Sequence, residues 1–297
     1  MSKATSYYVP HDSKWPILAS CSLLFLAVGA ANFVQQSSGS PIVNNQGTLP
    51  GGLLLAIGLG GLFLILTLWW RDTIKESLAN MNSVQMDTSY RMGMMWFIFS
   101  EVMFFAAFFG ALFYARIFVV PWLGGEGKGL LTNEILHPGF VGEWPLLKTP
   151  DGRTTEAMGA WGLPAINTAI LLTSSVFCTL AHHALVAGHR SKQIIWLFLT
   201  VALGFIFLGL QALEYHHAYA ELGLTLESGI YGSTFFLLTG FHGFHVTMGA
   251  TMLLIMLIRS IKGHLTPDNH FAFEAAAWYW HFVDVVWVFL FIFVYWL

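Results

Sequence analysis

Seven stretches of this chain are apolar over about the 20 residues that a helix needs to cross the hydrocarbon core of a bilayer. They are Trp15–Phe33, Gly51–Trp70, Met92–Val120, Leu163–Val186, Ile194–Tyr219, Gly229–Arg259 and Phe271–Leu297. The ten-residue alternation of an outer-membrane barrel is missing. The chain is therefore expected to be an all-α polytopic membrane protein with seven transmembrane helices, a single membrane domain over residues 1–297. Composition agrees, because 10% of the residues are charged and 56% hydrophobic, against about 25% charged in a soluble domain. The first span is short and rich in Ala and Ser, while the third and sixth are long enough to tilt. The polar stretch Tyr7–Lys14 precedes the first span without a small-residue cleavage site, so no cleavable leader is expected.

Orientation follows from the basic residues, which favour the cytoplasmic side. With the N-terminus inside, the inner segments hold Lys3, Lys14, Arg71, Lys75, Arg91, Arg190, Lys192, Arg259 and Lys262, nine of the 13 lysines and arginines. Arg116, Lys128, Lys148 and Arg153 fall outside, with most of the connector acids. The expected topology has a cytoplasmic N-terminus and a periplasmic C-terminus. The Gly- and Pro-rich connector 121–162 should lie as a loop or cap on the outer face, and the segment joining the first two spans reads as a polar turn. Gly58, Gly60 and Gly61, and later Gly240, Gly243 and Gly249, suit close helix packing. A net charge of −3 without a basic tract argues against nucleic acid, and Cys21 and Cys178 read as small hydrophobes rather than a disulfide pair.

The polar residues inside these spans carry the functional question. Glu101 stands in FIFSEVMFFAAFFG, about 15 Å along the helix from Arg91 at 1.5 Å per residue. A carboxylate at that depth must be neutral, paired or wetted. Two readings stand: a group that handles protons or ions, or a buried acid hydrogen-bonded to a neighbouring helix. In the last span Glu274, His281 and Asp284 are spaced to share one helical face, which must look into protein. His242 and His245 lie three apart on the sixth span. Glu214-x-x-His217 has the spacing of a carboxylate-bridged di-iron motif, but its one other match, Glu134-x-x-His137, falls in the outer connector. No metal site and no catalytic residue are expected in this chain.

At the inner rim, LWWRDTIKES brings Trp69, Trp70, Arg71 and Glu76 to the interface, and LIRSIKGHLTPDNHF brings Arg259, Lys262, His264 and His270 to the same depth. Such clusters serve as general interfacial anchors or as sites for phospholipid phosphates between helices.

WWRDTIKES, FIFSEVMFFAAFFGALFYAR, YGSTFFLLTGFHGFHVTMGA and HFAFEAAAWYWHFVDVVWVFLFIFVYWL closely resemble subunit III of the heme–copper cytochrome c oxidases, and the resemblance runs from the first span to the C-terminus. It implies a two-helix group (15–70) and a five-helix group (92–297) around a V-shaped cleft that holds ordered phospholipids. It further implies a non-catalytic subunit of a proton pump that reduces oxygen to water. Heme and copper then belong to subunits I and II, and this chain, with no cofactor beyond bound phospholipids, packs on subunit I and supports its stability and proton uptake. Glu101 matches the family's membrane-embedded carboxylate. Trp69, Trp70, Arg71 and Glu76, with Arg259, Lys262, His264 and His270, match its lipid-binding set, while Glu274, His281 and Asp284 match a structural polar core. Two departures stand out. Asn82 and Ser83 replace adjacent histidines of many mitochondrial members, and the connector 121–162 is longer than in compact ones, which suggests a bacterial inner-membrane enzyme. A related quinol oxidase is the alternative, but its subunit III usually lacks the first two spans.

Overall fold

The computed structural model describes residues 8–9, 12–37 and 50–296. Lys3 and most of the turn expected between the first two spans lie outside the described residues. The helices are α1 (Trp15–Ser37), α2 (Gly51–Leu78), α3 (Val84–Tyr114), the short α4 (Val120–Leu123), α5 (Leu163–Val186), α6 (Arg190–Ala220), α7 (Ile230–Ile261) and α8 (Phe271–Leu290). Among the described residues, seven helices are long and apolar enough to cross a membrane, with α3 and α4 forming one continuous span.

Apolarity places each helix but underestimates where several of them end. α2 runs past Trp70 to Leu78 because Arg71, Lys75 and Glu76 are good helix formers outside hydrocarbon as well as at its edge. It closes where Asn80, at φ 55°, lets Met81 N–H reach the Glu76 carbonyl and Asn80 N–H reach that of Ser77. This is the closure usually made with glycine, and asparagine tolerates it. α3 then starts at Val84 rather than Met92, with the Ser83 hydroxyl accepting from Met86 N–H at 3.2 Å as an N-cap. At its far end Pro121 has no N–H for the carbonyl four residues back, and the ladder widens to a π-helix over Ala115–Val119. Another π turn, Phe291–Trp296, ends α8.

The chain divides into two compact units, Met1–Tyr90 and Arg91–Leu297, so the boundary falls inside α3. In the smaller unit α1 and α2 run antiparallel with their backbones in contact. A Cβ on Gly58 would strike the backbone of Leu26, and one on Gly29 that of Leu55. Close approach of this kind replaces the hydrophobic drive that lipid removes. Gly60, by contrast, faces open space.

In the larger unit α5 packs on α6 and α8, and α7 on α6 and α8. The indole of Trp280 is fully buried and lies against Gly204 of α6 and Gly249 of α7, where a Cβ would come within 2.8 Å of the ring. Its Nε1–H donates to Ser174 Oγ at 3.2 Å, and Ser174 in turn donates to the Thr200 carbonyl at 3.1 Å. Trp287 donates likewise to Thr168 Oγ1 at 2.9 Å and packs edge-on against Phe207. The Arg91–Tyr114 part of α3 joins through rings, with Phe104 5.0 Å from Phe241 and Phe97 6.0 Å from Tyr279. The connector 121–162 lies over the start of α7 and the end of α6. Arg153 donates to the Glu227 carbonyl (2.9 Å), Thr155 to that of Leu222 (3.0 Å), and Met158 N–H to the Tyr231 hydroxyl (3.3 Å). At its tip the Thr149 hydroxyl, and with it the Arg153 guanidinium at 3.0 Å, hold the Asp151 carboxyl below its usual pKa.

Candidate functional site

Glu101 has a partner. Its Oε2 lies 2.8 Å from Nε2 of His245 on α7. The other ring nitrogen, Nδ1, is 2.6 Å from the Phe241 carbonyl one turn earlier. A carbonyl oxygen can only accept, so Nδ1 carries a hydrogen and Nε2 of the neutral ring is bare. The bridge to Glu101 therefore holds one proton, on the acid or on the imidazole, and in either case the pair has no net charge. That meets the cost of placing a carboxylate in hydrocarbon. Rings wall the pair, with Phe105 4.9 Å and Tyr279 6.3 Å from the His245 ring, the latter stacked. The contact joins α3 to α7. The sequence contained His245 as an unexplained histidine, but nothing local pairs it with a residue 144 positions away.

The polar residues of α8 reach different helices. Glu274 forms an ion pair with Arg91 at 2.7 Å, tying the start of α8 to α3. His281 Nδ1 lies 2.7 Å from Ser175 Oγ of α5, with Asp284 Oδ2 at 3.6 Å from the same nitrogen. Asp284 is buried, whereas the His281 side chain is 38% exposed. Further on, Tyr295 donates to Glu214 Oε1 at 2.6 Å, and Glu214 is fully buried. These contacts pin helix to helix. Glu214 is thus engaged by a phenol, and His217 by Glu221 at 3.0 Å. Among the described residues no three His, Cys, Asp or Glu side chains stand together as a ready-made metal site.

The basic cluster at the end of α7 is built by a helix stop. Gly263, at φ 75°, lets His264 N–H bond to the Arg259 carbonyl (2.9 Å) and its own N–H to that of Ser260 (3.0 Å). Arg190, from the start of α6, donates to the last carbonyls of α7, at Ser260 (3.1 Å) and Ile261 (2.6 Å). Cations suit a helix C-terminus, where carbonyls lack intrahelical partners. Lys262 and His264 lie within this turn, Lys262 exposed. Arg259 itself is buried, and among the described residues its Nε has no hydrogen-bond partner. The nearest acceptor of its Nη1 is Met256 Sδ at 4.0 Å, and among the described residues it forms no ion pair. In the smaller unit the Thr73 hydroxyl donates to the Trp69 carbonyl, Trp70 is 41% exposed, and Lys75 pairs with Asp72 at 3.4 Å. Arg71 is exposed and, among the described residues, in no ion pair. Glu76 is half-buried.

Comparison with known proteins points in one direction. A family profile described as "Cytochrome c oxidase subunit III" matches residues 5–297. Proteins named cytochrome c oxidase subunit 3 align over nearly the whole length. The relative from Prototheca wickerhamii is 41% identical over 97% of this chain and 96% of its own. That from Marchantia polymorpha is 39% identical over 100% and 98%, and that from Hippopotamus amphibius 39% over 98% and 97%.

Proposed function

The chain belongs to the cytochrome c oxidase subunit III family, and on that premise we propose that it is the non-catalytic, phospholipid-holding subunit of a proton-pumping oxidase that reduces oxygen to water. In this reading it packs against subunit I, stands in one complex with subunit II, and keeps subunit I durable and its proton uptake fast. Heme and copper reside in those partners.

The observation that carries the lipid assignment is Arg259, a buried guanidinium whose Nε finds no acceptor among the described residues. A buried charge needs a counter-charge and hydrogen bonds to its donors. At the end of a membrane helix the anion on hand is a lipid phosphate, which accepts from guanidinium in paired, charge-assisted bonds. Lys262 and His264, which follow Arg259 within the Gly263 turn, add donors. On the smaller unit Arg71 offers an exposed cation beside Trp69 and Trp70 in the chain, whose rings suit the headgroup level, with Glu76 one turn on. Each unit thus carries its own headgroup site. The connector 121–162 is the outer cap, and the expected home is a bacterial inner membrane with the Arg259 end facing the cytoplasm. A quinol oxidase would share most of this apparatus, but WWRDTIKES on a second span favours the cytochrome c enzyme.

Replacing Arg259 with Ala tests this. The purified oxidase should lose bound phospholipid and inactivate faster during turnover, while its initial rate stays near that of the parent. Unchanged lipid content together with unchanged durability would remove the lipid role.

A further inference from the structure

Where α5 ends and α8 begins, two imidazoles face each other. His182, in the last turns of α5, has its ring centroid 5.6 Å from that of His270, the residue just before α8, with the planes at 53°. Nε2 of His182 and Nδ1 of His270 are both buried and, among the described residues, both without a hydrogen-bond partner. The ring of Phe273 stacks on His182 at 5.8 Å and sets its orientation. Glu274 lies one turn after His270, its N–H bonded to the His270 carbonyl at 3.1 Å. Arg91 holds Oε2 of its carboxylate at 2.7 Å.

We propose that His182 and His270 are the imidazole ligands of a site for a divalent transition cation of the zinc class, completed by Glu274 when that carboxylate is released from Arg91. Zinc holds imidazole nitrogen at about 2.0–2.1 Å in tetrahedral array, which places two ligand-ring centroids about 5.2 Å apart. The observed 5.6 Å leaves a shift of a few tenths of an ångström to make. Imidazole and carboxylate together suit zinc-like cations rather than calcium or magnesium, which prefer all-oxygen shells. Among the described residues no three such donors stand together, so Glu274 has to turn toward the two imidazoles. The Arg91 guanidinium holds that carboxylate at 2.7 Å, and an entering dication must displace it. Such a cation bridges the start of α8 to the end of α5 and frees Arg91 on α3. It performs no redox chemistry; it is a device that fixes the end of α5 to the start of α8 in the larger unit.

The test uses the intact oxidase, stripped with a chelator and titrated with zinc alone. The complex carrying His182→Asn and His270→Asn should bind one equivalent fewer than the parent, with subunit content and heme spectra unchanged. Arg91→Gln should tighten that same equivalent by about tenfold, because the competitor for Glu274 is gone. A purely structural role for Arg91 would weaken it or leave it alone. Equal zinc stoichiometry in parent and double variant overturns the site, as does an Arg91→Gln variant with unaltered or weaker affinity. Should the double variant fail to assemble, zinc-edge anomalous density in the parent complex decides. A peak between His182 Nε2 and His270 Nδ1 supports the proposal, and peaks confined to other places overturn it.

Discussion

The two units of this chain solve one physical problem in opposite ways. Helices in lipid gain little from hiding apolar surface, because the solvent is as apolar as they are. α1 and α2 answer with bare backbone: Gly29, Gly51 and Gly58 let one helix lie directly on the other, and large apolar side chains such as Ile17 and Phe63 point outward. The larger unit answers with polar staples. Trp280 to Ser174, Trp287 to Thr168, His281 to Ser175, Tyr295 to Glu214 and Glu101 to His245 each join two helices or a helix and its neighbour's end. Backbone contact sets distance but little identity. A hydrogen bond between named side chains sets which face meets which, and so holds the Arg259 end in one shape.

Breaking a staple should do more damage than disturbing the glycine seam. Trp280→Ala removes a fully buried indole, its bond to Ser174 and the surface that Gly204 and Gly249 fit. A loss of about 3–5 kcal/mol is expected for a large-to-small change of this size, read as loss of this chain from the complex at lower temperature. Gly58→Ala comes next, because its new methyl meets the Leu26 backbone rather than a side chain that can turn away. Overpacking of that kind costs about 1–3 kcal/mol, visible as faster proteolysis of the α1–α2 pair with the larger unit intact. Smallest is Glu101→Gln. The amide can donate to the bare Nε2 of His245 and keep the bridge without a shared proton, so assembly and proton pumping should both persist. Pumping abolished in a fully assembled variant would make Glu101 an obligatory proton carrier and end the accessory reading.

Much of this architecture is legible in the sequence for a physical reason. Hydrocarbon imposes a length and an apolarity on each span, and Leu163–Val186 is read to the residue. The helix ends are less legible, because α2 and α3 continue through charged residues that hydropathy treats as loop but helix propensity does not. The sites divide in the same manner. Glu101, Glu274, His281 and Asp284 stand out as polar groups in apolar runs, and the structure engages each of them with another helix or, for Asp284, with His281 on its own. Their partners do not stand out. Arg91 reads as an interfacial cation and His245 as one histidine among 12, since a pairing across 144 positions leaves no trace in local spacing. Arg190 as a cap on α7 is hidden likewise, because the carbonyls it satisfies belong to every sequence.

The account turns on what neutralises the Arg259 guanidinium. A map of the assembled oxidase, sharp enough to resolve headgroups, should show a phosphate oxygen within hydrogen-bond distance of its Nε, with Lys262 or His264 on the same anion. A carboxylate from a neighbouring subunit in that place, with no phosphate nearby, would contradict it.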